Sequence, residues 1–171
     1  MRRPKLGLQN HFRIRQAGYK DISTIKNLIA DWLRWKVDRR KSIKRAIDRD
    51  ELFVAEQQGK VVGFVHHVVH EDIIDGGLNS FITALYVATE HRNMGIGSSL
   101  LHAAVEDALS KGVVGIEVST ASPQAKQFYE NHYFKQFMGN SAMGEIFLEL
   151  DVEKYRKRPN QEANAKHHRR H

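Results

Sequence analysis

The segment Leu85-Tyr86-Val87-Ala88-Thr89-Glu90-His91-Arg92-Asn93-Met94-Gly95-Ile96-Gly97-Ser98 constrains the fold more than any other stretch of the chain. It reads as a strand that passes through a glycine-bearing loop directly into a helix. The first amides of a helix have no internal acceptor and lie at the positive end of its dipole, so an anion placed there meets ready donors. Glycine lets such a ligand come close to the backbone, and Arg92 adds a fixed charge whose planar fork suits phosphate oxygens. Two glycines alone would serve a tight turn equally well. Arg92, in this strand-to-helix setting, makes an anion site the stronger reading, with Arg92, Asn93, Met94, Gly95, Ile96, Gly97 and Ser98 as its lining.

Two other phosphate motifs fit less well. Gly95-Ile96-Gly97-Ser98-Ser99-Leu100 begins like a dinucleotide fingerprint, and Glu117 lies twenty residues after Gly97. That fingerprint wants a third glycine where Leu100 stands, and it normally opens its domain instead of following an antiparallel meander. No Gly-Lys-Ser/Thr follows to make a Walker A loop.

The flanking pattern supplies the meander. Phe12-Arg13-Ile14-Arg15 alternates as a half-buried strand does. Ile22, Ile25, Leu28, Ile29, Trp32 and Leu33 then recur at helical spacing, with Asp21 placed to cap that helix. Asp38 to Ile47 predicts a second, more basic helix. Leu52 to Ala55 and Val61 to Val65 flank Gln57-Gln58-Gly59-Lys60 as a hairpin, and Phe81 to Val87 follows as the next strand. His70 to Asn79, polar and holding Gly76 and Gly77, predicts an exposed loop.

Beyond the motif, Ile96, Leu100, Leu101, Ala104, Val105 and Leu109 line a helix that stops at Lys111-Gly112. Val113 to Ser119 predicts a strand, Pro123 to Asn131 a helix with proline in its first turn, and Ile146 to Leu150 a closing strand. A strand-helix-strand unit favours parallel pairing, so the sheet should be mixed. The expected division is a lead-in over residues 1–11, one folded domain over 12–151 and a basic, disordered tail over 152–171.

Charge supports that division. The chain carries a net +7, which resembles a nucleic-acid signature until it is apportioned. Residues 152–171 hold seven Lys or Arg against two Glu, so most of the excess sits in the expected tail. The absence of cysteine removes disulfides, thiolate metal sites and a cysteine nucleophile. No apolar run is long enough for a membrane span and no apolar signal core follows Met1. The expectation is a cytoplasmic protein without membrane association.

The motif resembles the acyl-CoA signature of the GNAT acetyltransferases, commonly written Arg/Gln-x-x-Gly-x-Gly/Ala, with Arg92, Gly95 and Gly97 at its defining positions. The order of elements over about residues 12 to 150 is similar as well. The resemblance implies an α/β (α+β) fold with a mixed, mostly antiparallel central sheet flanked by helices. It implies acetyl-CoA as acyl donor, with the backbone of Leu85-Tyr86-Val87 pairing with the pantetheine arm. Ile116 to Glu130 is similar to the family's Asn-x-x-Ala-x-x-x-Tyr segment, which places Tyr129 on the tyrosine. Two positions depart from the pattern. Ser122 stands for the asparagine that contacts CoA, and Tyr133-Phe134 stands for Gly-Phe.

Acetyl transfer to an amine requires a neutral nitrogen, a place for the oxyanion and a proton for the departing thiolate. The resemblance gives the proton-donor role to Tyr129, whose plain alternative is a packed aromatic. Glu117 is a candidate base, against the plain reading of a solvent-facing strand carboxylate. His66, His67 and His70 with Glu71, Asp72 and Asp75 form a further cluster. Adjacent His66 and His67 must face opposite sides of a strand, so no metal site is expected there; a histidine acting as base is the weaker alternative to a solvated loop. Trp32 reads as core, and with Trp35 it is also a candidate wall for an acceptor. The reaction implied is direct attack of a primary amine on acetyl-CoA in a ternary complex. The rival is a non-catalytic acyl-CoA-binding or nucleic-acid-associated module, its tail holding nucleic acid or an acidic partner. The sequence leaves a homodimer open.

Overall fold

The structure, a computed structural model, describes residues 11–35, 37–74, 76–140 and 144–159, with Asn140 by its backbone alone. The lead-in before His11, Asp75 of the histidine and carboxylate cluster, and residues 160–171 of the expected tail lie outside the described residues. The chain divides into two compact units, Met1–Val118 and Ser119–His171.

The first unit contains β1 (Phe12–Gln16), α1 (Ile22–Leu33), α2 (Arg40–Asp48), β2 (Leu52–Gln57), β3 (Lys60–Glu71), β4 (Leu78–Val87), α3 (Ile96–Ser110) and the start of β5 (Gly115–Thr120). The strands lie in chain order. β1 to β4 pair antiparallel and β4 pairs parallel with β5, as the strand-helix-strand argument predicts. Gln58 and Gly59 both take positive φ, 50° and 76°, the conformation of a two-residue hairpin turn whose twist matches the strands. The expected loop from His70 to Asn79 is shorter than its polarity suggests. His70 pairs with Asn79 and Glu71 with Leu78, so the hairpin extends to its polar end. Backbone pairing does not need apolar side chains at a solvent-facing tip.

Alternation along the strands sorts side chains onto two faces. Val54, Phe64 and Tyr86 share one cross-strand row and pack with Ile25, Ile43, Ala46 and Leu52 under α1 and α2. The next row, Phe53, Val65 and Leu85, belongs to the opposite face. There α3 packs across β1 to β4, burying Ile96, Leu100, Leu101, Ala104, Val105 and Ala108. Burying one such aliphatic side chain contributes about 1.5–3 kcal/mol, so α3 is fixed firmly behind the motif it starts from.

Asp21 stands at the N-cap of α1, but its side chain does not cap. It accepts instead from Arg15, Nη1 at 2.7 Å and Nη2 at 2.9 Å, and from the Gly18 amide at 2.8 Å. A bidentate guanidinium outcompetes a neutral helix amide for a carboxylate.

The second unit holds α4 (Pro123–Glu130), β6 (Phe134–Asn140), β7 (Glu145–Leu150) and α5 (Val152–Arg156), with β6 and β7 antiparallel. Disorder from Val152 onward is corrected for residues 152–156. The Asp151 carboxylate accepts from the Lys154 amide at 3.0 Å, and Tyr155 is buried. Tyr155 meets the edge of Tyr133, with ring centres 6.2 Å apart. One well-placed aromatic and a cap hold a stretch that composition alone reads as unfolded. No helix among the described residues is long and apolar enough to cross a membrane.

Candidate active site

β4 changes its partnership in mid-strand. Its parallel ladder pairs Asn79–Ile82 with Gly115–Val118 and stops there, whereas its antiparallel ladder with β3 continues to Val87. At the same point the β3 register shifts, with His66 opposite Ala84 and His67 opposite Ile82. Thr83 is therefore the extra residue of a bulge, a device that bends a strand and turns one residue out of the ladder. Past it, the edge of Thr83–Val87 that would face β5 carries no strand pairing among the described residues, and Leu85, Tyr86 and Val87 lie on that edge. No pattern in the sequence signals the bulge at Thr83.

Downstream, the chain makes one 3₁₀ turn at Thr89–His91 before entering α3. Asn93 and Gly95 take left-handed φ values of 60° and 79°, and Gly95 is the N-cap of α3. The φ of Gly95 is one that glycine adopts at little cost, and a Cβ there would meet no protein atom within 4 Å. The Ser99 amide makes the first rung, to the Gly95 carbonyl at 3.0 Å. The amides of Ile96 and Gly97 precede that ladder at the positive end of the helix, which is the arrangement an anion requires. Arg92 through Gly95 are exposed and Ser98 is half-buried in the first turn.

Arg92 is held by the strand it follows. Its Nε donates to the Val87 carbonyl at 2.9 Å, and its guanidinium carbon lies 5.5 Å from the Tyr86 ring centre. The Tyr86 hydroxyl donates to Asp31 at 2.9 Å, and burial together with that carboxylate raises its pKa. Trp32 stacks on the same ring at 5.5 Å and an interplanar angle of 19°. It remains 41% exposed, which corrects its reading as a core residue: the indole covers Tyr86 on one side and leaves the other to solvent. Trp35, at 64% exposed, lies further out with Arg39 over its ring. The link from α1 to the motif through Asp31 was not foreseen, because a single helix carboxylate carries no local signal.

Glu117 is half-buried between Ile116 and Val118, which are buried on the α3 face. Opposite Phe81 in register, it belongs to the other face, the one that carries α1 and α2. The two histidines divide as alternation requires. His67 is fully buried behind the sheet, with Nδ1 3.0 Å from Ser80 Oγ and Nε2 3.1 Å from Asp107 of α3. Burial pushes its pKa down to about 4, so the ring is neutral at pH 7. His66 takes the α1 face, its Nδ1 2.5 Å from Thr83 Oγ1 and its Nε2 3.6 Å from Glu51 Oε2. His70 and Glu71 are exposed, and Asp72 organises the hairpin tip by accepting from the Ile74 amide at 2.8 Å. Among the described residues no group of three or more His, Asp or Glu is placed to hold a metal.

In the second unit, Tyr129 on α4 is 6% exposed, with Phe128 and Phe134 meeting its ring edge-on at 5.3 and 5.5 Å. Burial raises its pKa to about 12, which keeps the hydroxyl protonated across the neutral range. Ser122 is the N-cap of α4, its Oγ accepting from the Ala125 amide at 3.3 Å. Its side chain thus has a structural task where the sequence comparison points to a CoA contact.

A polar cavity of about 440 Å³ lies elsewhere, lined by Arg15, Lys20, Asp21, Thr24, Glu56 and Lys60. Arg15 is already paired there with Asp21 and Glu56, so the cavity is a charged surface cleft, and it shares no lining residue with the motif.

Residues 20–134 match the model of the acetyltransferase (GNAT) family, and the chain belongs to that family of acetyl-CoA-dependent N-acetyltransferases. No curated protein matches the chain. Solved structures share the fold. An N-acetyltransferase from Staphylococcus aureus Mu50 superposes with a TM-score of 0.70 at 20% identity, over 83% of this chain and 99% of the other. The PaiA N-acetyltransferase from Thermoplasma acidophilum, in complex with coenzyme A, gives 0.69 at 17% identity, over 82% and 98%. A ribosomal-protein-alanine N-acetyltransferase from Brucella melitensis gives 0.67 at 22% identity, over 80% and 98%.

Proposed function

We propose that this protein transfers an acetyl group from acetyl-CoA to a primary amine by direct attack in a ternary complex. The observation that carries the reading is the conjunction on β4: an edge released from its parallel partner at Thr83 runs straight into a positively charged helix start. The edge of Leu85, Tyr86 and Val87 suits the amide-rich pantetheine arm, and Arg92 with the amides from Asn93 to Ser98 suits the pyrophosphate. Acetyl-CoA supplies an activated thioester there. Ser122 is retained as a contact through its exposed end of α4.

The two proton transfers of the reaction each have a candidate in this chain. Tyr129, kept protonated by burial, donates to the sulfur as it leaves, and the amine nitrogen loses the corresponding proton, so thiol and amide are the products. Glu117, half-buried on the α1 face, is the carboxylate available to water near the acceptor. The acceptor is a small molecule or a protein amine. Residues 34–49 hold eight Lys or Arg against two Asp, and this limb begins two residues after Trp32. An acceptor that carries negative charge is therefore favoured over a polyamine.

The test is to incubate protein and acetyl-CoA with neutral, cationic and acidic amines, following thiol release and product mass. Amine-dependent thiol release with a product heavier by one acetyl group is expected. Tight acetyl-CoA binding without transfer to any amine would replace this reading with that of a non-catalytic acyl-CoA-binding module.

A further inference from the structure

Three residues from separate elements converge where β4 leaves its parallel partner. Glu51 stands one residue before β2, His66 lies in β3, and Thr83 is the bulged residue of β4. Their polar atoms run in sequence: Glu51 Oε2 lies 3.6 Å from His66 Nε2, and His66 Nδ1 lies 2.5 Å from Thr83 Oγ1. Thr83 is exposed, whereas the His66 and Glu51 side chains retain only 26% and 12% of their accessible surface. The result is an imidazole hydrogen-bonded on one side to the hydroxyl of an exposed threonine and faced on the other, at ion-pair distance, by a carboxylate.

Position gives this arrangement its meaning. In the acetyl-transfer reading, on which this inference rests, the donor's phosphates sit at Arg92 and its arm runs back along Val87, Tyr86 and Leu85. The acyl end then falls near Thr83, where the strands part. An alkyl amine is mostly an ammonium ion at neutral pH and must lose a proton before it can attack. We propose that Thr83 is the residue at which the acceptor ammonium gives up that proton, with His66 taking the hydroxyl's own proton and Glu51 holding the imidazole in place. One N–H bond of the ammonium breaks and one forms on Thr83 Oγ1, while the original Thr83 proton moves to His66 Nδ1. The neutral amine and an imidazolium beside Glu51 remain, and the imidazolium later returns its proton to water.

The tautomer agrees with this direction. Glu51 facing Nε2 favours the proton on that nitrogen, which leaves the Nδ1 lone pair for the Thr83 hydroxyl. The same hydroxyl also lies 3.3 Å from the His66 carbonyl, a longer and weaker alternative acceptor. Burial holds His66 below its ordinary pKa against the opposing pull of Glu51, so the ring is neutral at pH 7 and ready to accept. Glu51 is the charged group that acts on the ring; Glu117 belongs to the same sheet face further along, opposite Phe81, and His67 with Asp107 and Lys111 lies behind the sheet. In this scheme Thr83 is the catalytic residue, and His66 and Glu51 are positioning residues behind it.

The experiment compares the full chain with Thr83→Val, Thr83→Ser, His66→Gln and the Thr83→Val/His66→Gln double variant. Turnover on one amine is read as a function of pH, and acetyl-CoA affinity by thermal shift. Thr83→Val and His66→Gln should each lower kcat by about 10²-fold with the thermal shift preserved, and the double variant should lose no more than the worse single one. Thr83→Ser should restore most of the activity. The acid limb of the kcat profile, with a midpoint below that of free histidine, should be absent from both single variants. Parental turnover in either variant, additive losses, or a serine variant no better than valine would overturn the relay while leaving acetyl transfer standing. A parent that binds acetyl-CoA and acetylates no amine would remove both. Should His66→Gln fail to fold, the Thr83 pair decides alone, because that side chain is exposed.

Discussion

Arg92 is tied to the strand it follows: its Nε donates to the carbonyl of Val87 at 2.9 Å while its guanidinium lies over Tyr86. This contact uses one N–H of the fork and fixes the side chain before any ligand arrives. A preorganised cation loses less freedom on binding than a flexible one. Arg92→Ala should weaken acetyl-CoA by about 10- to 100-fold, the range expected for losing charge-assisted hydrogen bonds. Arg92→Lys should recover only part, since an ammonium keeps the charge but lacks the planar fork. Calorimetry or the acetyl-CoA-induced shift in Tm reads both. Equal affinity in Arg92→Ala and parent would take the phosphate role away from Arg92.

Gly63 gives a prediction about stability alone. A Cβ there would lie 2.8 Å from the Tyr86 carbonyl oxygen and 3.3 Å from Leu100 Cδ1, so β3 passes β4 too closely for any side chain. Backbone cannot yield as a side-chain end can. Gly63→Ala should destabilise the fold by about 1–3 kcal/mol, read as the midpoint of urea unfolding. Unchanged stability would mean that the two strands separate at this point without cost.

His67 makes the fold sensitive to acid. Burial is the main cause of its depressed pKa, with Lys111 and His66 adding to the depression and Asp107 opposing it. A histidine whose folded pKa lies below its unfolded value stabilises the fold above the unfolded value, and that contribution is lost as pH falls through the folded one. With about 6.5 unfolded and about 4 folded, stability should decline between those two pH values by on the order of 3 kcal/mol. His67→Gln, which removes the titration but can still bond to Ser80, should flatten the decline in that window. A parent whose Tm does not change from pH 7 to the histidine's folded pKa would show that the ring is charged in place, beside Asp107.

What could be read from the sequence divides along physical lines. The hairpin of β2 and β3 with Gly59 in its turn, and the extent of α3, are written in local chemistry, in period and in glycine placement, and the structure bears them out. β6 carries no such local signal, because a register shift between Gln136 and Met138 sets Phe137 out of step with the alternation of its neighbours. Tyr133, where the family pattern has glycine, takes a left-handed φ of 71°, at a cost of about 1–2 kcal/mol for an L-residue, and its contact with Tyr155 helps to offset that cost. At the site, the motif loop could be read but its supports could not. Asp31 on Tyr86, Glu51 on His66 and the bulge at Thr83 all arise from pairing across strands and helices distant in sequence. No window along the chain contains both members of any such pair.

The last prediction concerns Tyr129. Its ring is packed edge-on against Phe128 and Phe134, and burial raises its pKa to about 12, so its hydroxyl is protonated across the neutral range. Both the packing role and the acid role are therefore available to it, and removing a single oxygen separates them. Tyr129→Phe keeps the ring contacts, so Tm and acetyl-CoA affinity should remain near parental values. If the hydroxyl donates to the departing sulfur, turnover should fall by about 10²- to 10⁴-fold on an acceptor for which chemistry limits the rate. The deficit should shrink when a donor with a more acidic thiol replaces CoA, because a better leaving group needs less help from an acid. Parental turnover, or a loss that is the same for both donors, would leave Tyr129 as a packing residue and return protonation of the thiolate to water.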